Sequence, residues 1–391
     1  MDQRLDKLEQ MQKEMQDQLQ KQMNEQLEKI QQDMTERMRE SQKDMMTELT
    51  QFLKGINKDM IITRTPMRIS FFGGGTDFPE FYNEYGGSVL STTFDKYCYV
   101  NIRHLPRFFE YTSEFCYSKL ERVKNTEEIQ HPLIREAMQW FDMREIRLSY
   151  EADLPARTGL ATSSSFAVGM LSAFHAMKGQ YAGKKQLADE AIYLERELCR
   201  EAGGCQDQIA VSYGGLNRIV FSGEGYDVNP VIIHPDRKRE LNGNLMLFFT
   251  GFSRNSFDIQ NKTRKSLKNK TADLLEMKQM VDEATVILSD KKRNLREFGE
   301  LLGESWKLKR GINLEISTDY VDQMYQAARN AGAVGGKLLG AGGGGFMLFY
   351  VEKERQHAVK EALAQSLYVP FEFEDKGTDI IYFNPESYIL K

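Results

Sequence analysis

The segment LPARTGLATSSSFAVG, at residues 154–169, is the most informative part of the sequence for the fold and function of the chain. It joins a turn-prone stretch with proline and glycine to a run of hydroxyl side chains, and then to small residues typical of a closely packed helix. Glycine lets the backbone approach a ligand closely, and the first turn of a helix presents N–H groups at the positive end of its dipole. The segment therefore predicts a helix N-terminus that binds phosphate.

The composition of the 391 residues excludes several classes of protein. Hydrophobic residues make up 41% of the chain, enough for about two domains with a buried core. The net charge of -5 argues against a nucleic-acid partner, and no apolar run reaches the ~18 residues that span a bilayer. The four cysteines form no CxxC pair and no signal-peptide pattern precedes them. We therefore expect a cytoplasmic protein with reduced thiols that acts on a small molecule.

Residues 1–59 differ from everything that follows. They are rich in Gln, Glu, Lys, Asp and Met, contain no proline, and have apolar residues at helical spacing. This pattern predicts a long coiled-coil-like helix. Two interpretations stay open: a helix that assembles a homo-oligomer, or a solvated or fused segment with no part in the chemistry. The narrow stripe is rich in methionine, which specifies a partner weakly.

From residue 60 onward, strands and helices are mixed without a regular βαβ period. Strands are predicted at residues 61–65, 68–72, 88–93, 96–103, 146–151, 216–221, 245–250 and 346–351. Helices are predicted at residues 164–177 and 185–200, with long amphipathic helices between about residues 256 and 329. This order favours an α+β fold of two domains, residues 60–221 and 222–391. The boundary is placed at residues 222–243, where Gly, Pro, Asp and Asn accumulate.

The glycine run GAGGGG, at residues 340–345, satisfies the GxGxxG spacing of a dinucleotide site. That fingerprint requires a strand before it and a helix after it, whereas residues 346–351 have the pattern of a strand. No GxxxxGK[ST] sequence occurs either. The chain is therefore neither a Rossmann protein nor a P-loop enzyme.

Three glycine-containing segments carry a resemblance to a known family. They are TPMRISFFGGGTDF at residues 65–78, LPARTGLATSSSF at 154–166 and KLLGAGGGGF at 337–346. Their wording and order resemble the three motifs of the GHMP kinases, the superfamily of galactokinase, homoserine kinase and mevalonate kinase. The resemblance extends over residues 60–391, and it implies a two-domain kinase that uses ATP and Mg²⁺.

The motif wording is most similar to the branch of the heptose 7-phosphate kinases. There, too, a glycine triplet precedes Thr-Asp, and the second motif has an Arg-Thr-Gly-Leu core. The resemblance implies phosphorylation of the anomeric hydroxyl of D-glycero-D-manno-heptose 7-phosphate, which gives the 1,7-bisphosphate. A kinase for another sugar, such as L-fucose or galactose, and a non-catalytic sugar-binding relative are the alternatives.

The resemblance also implies a catalytic base and a metal site. Asp207, within GGCQDQ, matches the family's base, and Arg68 would be its electrostatic partner. The alternative for Asp207 is a helix cap. Glu195 matches the magnesium-binding glutamate, with Glu197 as the competing choice, and the hydroxyl of Ser163 would be the second ligand.

The ligand contacts follow from the same three segments. The nucleotide would contact the second and third segments through Arg157, Thr158, Gly159, Leu160, Ala161, Thr162, Ser163, Ser164, Ser165, Gly342 and Gly343. The glycine run at residues 340–345 would lie against the ligand or the first loop. The sugar would contact Gly74, Gly75, Thr76, Asp77 and Arg254, although a turn-forming role is the alternative for Asp77. The arginines that could bind a sugar phosphate are Arg103, Arg107, Arg157 and Arg254, and the sequence does not choose among them.

The second segment departs from the family pattern PxGxGLGSS at three positions. Arg157 and Ala161 replace glycines, and Thr162 replaces a serine. The methyl group of Ala161 lies where backbone clearance is wanted. This substitution is therefore expected to weaken nucleotide binding.

Overall fold

A computed structural model describes residues 60–105, 108–251, 256–313 and 315–384. These residues belong to one compact unit, Asp59–Lys391. The predicted helix at residues 1–59 lies outside the described residues, so its proposed role in assembly stays a prediction. All four cysteines are described, and none forms a disulfide. In the described part of the chain, no helix has the length and hydropathy needed to cross a bilayer.

The larger sheet contains the first seven described strands of the chain and the last two. Its main path runs β13-β1-β2-β5-β3-β4, while β12 and β6 pair with β2, and β7 pairs with β6. The strands are β1 Met60–Phe72, β2 Gly87–His104, β3 Ser113–Cys116, β4 Leu120–Val123, β5 Ile146–Ala152, β6 Asn217–Ser222, β7 Gly225–Pro230, β12 Phe373–Glu374 and β13 Asp379–Asn384.

The smaller sheet is antiparallel and lies within the second half of the chain. Its order is β11-β8-β10-β9, with β8 Leu245–Phe249, β9 Gly335–Leu338, β10 Phe346–Tyr350 and β11 Leu367–Val369. The glycine run at residues 340–345 joins β9 to β10 as a loop between antiparallel strands. A strand thus follows the glycines, which confirms that they are not a dinucleotide fingerprint.

Helices cover both sheets. They are α1 Pro79–Tyr85, α2 Pro132–Trp140, α3 Thr162–Met177, α4 Lys184–Tyr193, α5 Gln206–Tyr213, α6 Pro235–Gly243, α7 Ser256–Ser266, α8 Thr271–Ser289, α9 Arg296–Ile312, α10 Asp319–Asn330 and α11 Gln356–Ala362. A single π-helical turn, Leu194–Leu198, follows α4 directly. Helix α3 packs between β1, β2 and the helices α4 and α5, so nearly all of its residues are buried. Its small side chains allow this close packing.

One cluster of aromatic side chains packs α9 against β1. The ring of Phe298 lies 5.3 Å from that of Phe71 and 5.1 Å from that of Phe72, both in edge-to-face geometry. All three side chains are fully buried. This packing brings a helix of the second half of the chain against the strand that carries the first motif.

The α+β prediction is confirmed, with corrections to individual strands. The predicted strands at residues 61–65 and 68–72 are one strand, β1, whose register against β2 shifts between Pro66 and Met67. Proline lacks the N–H that a continuous ladder needs, so a bulge at this point keeps the strand going. Residues 88–93 and 96–103 likewise form the single strand β2. Residues 222–243 hold β7 and α6, and the domain boundary placed there stays a prediction.

Candidate active site

An arginine–aspartate pair lies where β1 meets α5. Arg68 donates from Nε to Oδ1 of Asp207 at 2.8 Å and from Nη2 to Oδ2 at 2.9 Å. The arginine side chain is 3% exposed and the aspartate 25% exposed. A bidentate pair fixes the orientation of the carboxylate, and the exposure of Asp207 leaves it open to a ligand. The structure thus brings together the two residues predicted to act as base and electrostatic partner.

Asp77 holds the start of the helix that carries Asp207. Its carboxylate accepts the backbone N–H of Gly75 at 2.9 Å and that of Gln206 at 3.2 Å. Gly204 is required beneath it, since a Cβ there would lie 1.9 Å from Oδ2 of Asp77. Burial raises the pKa of the Asp77 carboxyl, and these hydrogen bonds oppose the rise. The capping role considered for Asp207 is therefore performed by Asp77, which leaves Asp207 for Arg68.

Some polar groups in and beside the first-motif loop have hydrogen-bond partners, and others have none among the described residues. The hydroxyl of Thr76 lies 2.8 Å from the Gly73 carbonyl and 2.9 Å from the Ser88 carbonyl, either of which can accept its proton, and it accepts the Ser88 N–H at 3.1 Å. It therefore stabilises the turn, and a contact of Thr76 with a sugar stays a prediction. In contrast, Oγ of Ser70 and Oε1 of Gln206 are buried and have no hydrogen-bond partner among the described residues. Both side chains flank Gly74. Sequence reasoning missed these two residues although both lie within quoted segments, Ser70 in the first motif and Gln206 beside Asp207, because a missing hydrogen-bond partner is visible only in the fold.

The second motif forms the N-terminus of α3, as predicted. Its first helical hydrogen bond runs from the Ser165 N–H to the Ala161 carbonyl at 2.8 Å, so the N–H groups before Ser165 precede the helical ladder. Ala161 caps the helix in a left-handed conformation, φ 64°, with no side-chain cap. Ser163 is exposed in the first turn. An uncapped helix N-terminus beside an exposed hydroxyl has the geometry of an anion site.

Other residues that are predicted to bind nucleotide make contacts within the protein that stabilise the loop before α3. The hydroxyl of Thr158 donates to the Pro155 carbonyl at 2.7 Å, and that of Ser165 to the Pro66 carbonyl at 2.9 Å. Leu160 is fully buried in the core. These side chains therefore position the backbone, and a direct contact with nucleotide stays a prediction. Arg157 is exposed, whereas Arg107 and Arg254 lie outside the described residues.

The third motif packs against the second. A Cβ on Gly340 would lie 2.2 Å from the Cα of Gly159, and one on Gly345 would lie 2.3 Å from the carbonyl of Thr158. Further along the loop, the N–H of Gly343 donates to the Ile316 carbonyl at 3.0 Å, and Gly342 packs on the same residue. The backbone of this run therefore lies against the second loop and not the first, and its contact with a ligand stays a prediction.

Glu195 lies on the π-helical turn with its carboxylate pointing inward. The hydroxyl of Ser164 donates to it at 3.0 Å, and Nε2 of Gln208 donates to the same oxygen. Its side chain is 1% exposed, whereas Glu197 is exposed. Burial raises the pKa of Glu195 to about 7, against the opposing charge of Arg196. The inward orientation supports the choice of Glu195 over Glu197.

The residues around Glu195 fit a magnesium ion. Carboxylate and hydroxyl oxygens are the ligands that Mg²⁺ prefers, and it usually binds few protein groups together with phosphate oxygens. The described residues contain no group of three or more His, Cys, Asp or Glu able to hold a metal. The structure pairs Ser164 with Glu195, and a contribution from exposed Ser163 stays a prediction.

Two lysines of the second half reach the same region, and neither is among the residues predicted to bind a ligand, although Lys337 is the first residue of the third motif. Nζ of Lys309, on α9, donates to the Gly340 carbonyl at 2.5 Å. Nζ of Lys337, on β9, donates to the Phe71 carbonyl at 2.7 Å. Burial lowers the pKa of Lys309 to about 8, helped by the charge of Arg68. No sequence motif surrounds Lys309, which occupies an ordinary amphipathic helix.

Family models match both halves of the chain. The model described as the GHMP kinases N-terminal domain matches residues 128–215, and the GHMP kinases C-terminal model matches residues 286–369. The chain contains both GHMP kinase domains. It is therefore an ATP-dependent phosphotransferase of the GHMP kinase family.

Individual relatives support the same family. A D-glycero-α-D-manno-heptose 7-phosphate kinase from Campylobacter jejuni is 28% identical, covering 81% of this chain and 97% of that protein. A galactokinase from Pyrococcus furiosus is 23% identical over 81% of this chain and 96% of its own length. The crystal structure of a D-glycero-D-manno-heptose 1-phosphate kinase from Bacteroides thetaiotaomicron shares the fold, with a TM-score of 0.67, 24% identity and coverage of 82% and 99%.

Two neighbouring serines of the second motif, Ser163 and Ser164, have separable roles. Ser164→Ala removes a hydroxyl that donates to a buried carboxylate, so we expect the free energy of unfolding to fall by about 2 kcal/mol. Ser163→Ala, at an exposed position, should leave stability unchanged and raise the magnesium concentration needed for half-maximal activity. Urea unfolding and magnesium titrations measure the two effects. Equal stability losses in both variants would contradict this assignment.

The raised pKa of Glu195 predicts a pH dependence of stability. The folded protein holds this proton up to about pH 7, whereas an unfolded glutamate releases it near pH 4.5. Between these values the folded state binds more protons, so this group's contribution to stability falls as pH rises from 4.5 to 7. We expect Glu195→Gln to remove that slope in urea unfolding without magnesium. Identical slopes for the wild type and the variant would show that Glu195 does not titrate this way.

Proposed function

We propose that this GHMP kinase phosphorylates the anomeric hydroxyl of D-glycero-D-manno-heptose 7-phosphate, with ATP as donor and Mg²⁺ as cofactor. The observation that carries the proposal is the pair of Asp207, partly exposed, and Arg68, buried, beside the three glycine loops. A phosphoryl-transfer enzyme needs a group that accepts the acceptor's proton and a cation that stabilises charge. The pair provides both, which argues against the non-catalytic alternative.

Buried polar groups without hydrogen-bond partners support a sugar as the acceptor. Ser70 and Gln206 carry buried oxygens with no hydrogen-bond partner among the described residues, close to Gly74. A buried polar atom without a partner costs free energy unless a ligand satisfies it. Sugar hydroxyls are suitable ligands, because each can both donate and accept. The heptose assignment itself follows the motif wording and the similarity to the Campylobacter jejuni kinase.

The reaction would use the chain's residues as follows. Bound ATP supplies the phosphoryl group, and Mg²⁺ neutralises charge on its phosphates. The N-terminus of α3 binds phosphate oxygens through backbone N–H groups, and Glu195 holds the metal. Asp207 accepts the proton of the acceptor hydroxyl through its partly exposed carboxylate, while Arg68 keeps that carboxylate in place.

A panel of acceptors tests the proposal. The purified protein is given ATP and Mg²⁺ with heptose 7-phosphate, unphosphorylated heptose, L-fucose or galactose, and ADP release is measured. We expect kcat/KM for heptose 7-phosphate to exceed that for each unphosphorylated sugar by about 100-fold or more. Phosphorus NMR of the product should show a new anomeric phosphate. A preference for galactose or L-fucose would replace the heptose assignment, and absence of ADP release with every acceptor would contradict a sugar kinase.

A further inference from the structure

Lys309 and Arg68 donate to the carbonyls of two glycines that touch each other. Nζ of Lys309 donates to the Gly340 carbonyl at 2.5 Å, and Nη1 of Arg68 donates to the Gly159 carbonyl at 2.7 Å. Because Gly340 and Gly159 are in backbone contact, the two cations are brought to the same junction of the second and third motif loops. One cation comes from β1 and the other from α9, so both halves of the chain contribute.

The charges around Lys309 are those of the candidate active site. Arg68 repels its ammonium group, whereas Asp77 and Asp207 attract it. Lys337 is repelled by Lys309 and Arg68 and is buried at 2% exposure. The electrostatic environment of Lys309 thus includes the proposed base.

The hydrogen bonds of Lys309 leave room for a ligand. An ammonium group has three N–H donors, and the Gly340 carbonyl is its acceptor among the described residues. Two donors are left for phosphate oxygens. A partly dehydrated cation in a low-dielectric site attracts a phosphate more strongly than one in water.

We propose that Lys309 is a second cationic catalytic residue, which binds the transferring phosphoryl group beside Arg68. The inference rests on the proposed kinase function and concerns the transfer centre, not the identity of the sugar. As the bond between the γ-phosphorus and the bridging oxygen of ADP breaks, the bond to the acceptor oxygen forms and the hydroxyl proton goes to Asp207. The ammonium group of Lys309 donates hydrogen bonds to the phosphoryl oxygens throughout and transfers no proton.

Three substitutions separate this role from mere anchoring of the glycine loop. Lys309→Gln keeps an N–H donor for the Gly340 carbonyl but loses the charge, whereas Lys309→Arg keeps both. Lys307→Gln, at an exposed position on the same helix, is the matched control. We expect Lys309→Gln to lower kcat by about 100-fold, Lys309→Arg to restore at least a tenth of the wild-type kcat, and Lys307→Gln to have no effect.

The pH profile provides a readout that an anchor would not change. The charged groups that act on Lys309 are Arg68, Asp77 and Asp207, and Lys337 interacts with Lys309 as well. Since the pKa of Lys309 is about 8, the wild type should lose kcat/KM for ATP as pH rises through that value, because the ammonium loses its proton. Lys309→Arg should lack this decline, since a guanidinium stays charged. An unchanged alkaline decline in Lys309→Arg would overturn the proposal.

Other possible results of these experiments also test whether Lys309 binds the phosphoryl group. If Lys309→Gln keeps kcat within twofold of the wild type, the lysine is an anchor and the proposal is wrong. If Lys309→Gln fails to fold, as thermal unfolding would show, the profile of Lys309→Arg decides. If the wild type phosphorylates no sugar, the proposed function fails by itself, and the affinity of a non-hydrolysable ATP analogue becomes the test. A tenfold weaker affinity in Lys309→Gln would then support a phosphate contact, and an unchanged affinity would exclude it.

Discussion

Asp207→Asn should lower kcat by about 1000-fold and leave the fold intact. Asparagine has nearly the same shape and can still accept a hydrogen bond from Arg68, but it cannot accept the proton of the acceptor hydroxyl. General base catalysis typically contributes 10²–10⁴-fold, so the loss should fall in kcat, with the KM for ATP little changed. Steady-state kinetics with the preferred sugar, together with thermal unfolding, measures both quantities.

The control for this variant is another aspartate in the first turn of a helix. Asp319 occupies that position in α10 and is exposed. Asp319→Asn should change kcat by less than twofold, because its carboxylate contributes only to the helix terminus. If Asp207→Asn kept more than a tenth of wild-type turnover, or lost stability in step with activity, the assignment of the base would be wrong.

The sequence predicted the parts of the site that depend on local chain geometry. The glycine-containing segments at residues 154–165 and 340–345 were predicted to let the backbone approach a ligand closely, because glycine lacks a Cβ, but their contact with each other was not predicted. The start of α3 was predicted within two residues, since hydroxyl residues before a small-residue helix are a local signal. The irregular order of strands was also sufficient to favour an α+β fold over a doubly wound sheet.

Contacts between distant segments could not be predicted in this way. Lys309 reaches the site because Phe298, on the same helix, packs on Phe71 and Phe72, and no local pattern encodes that packing. The choice between neighbouring serines depends on helix phase: Ser164 faces Glu195, whereas Ser163 faces outward. Spacing alone cannot fix that phase when the helix boundary is uncertain by a residue or two.

Gly340→Ala should separate the two glycine loops and thereby reduce both stability and nucleotide binding. Its Cβ would lie 2.2 Å from the Cα of Gly159, and the residue has φ +73°, which alanine adopts only with strain. Backbone lies on the other side, so no flexible side chain can move away. The loop must shift and weaken the hydrogen bond from Lys309. We expect a loss of about 3 kcal/mol in the free energy of unfolding and at least a tenfold rise in the KM for ATP.

Gly179→Ala isolates the contribution of the clash. Gly179 has φ +68°, almost the value of Gly340, but no heavy atom of the described residues would lie within 4 Å of a Cβ at this position. Its substitution should therefore cost only the backbone strain, about 1 kcal/mol, and leave the KM for ATP unchanged. The difference between the two variants measures how strongly the protein depends on contact between the second and third motif loops. Equal effects in urea unfolding and in ATP kinetics would mean that strain alone is responsible and that the loops do not act together in binding nucleotide.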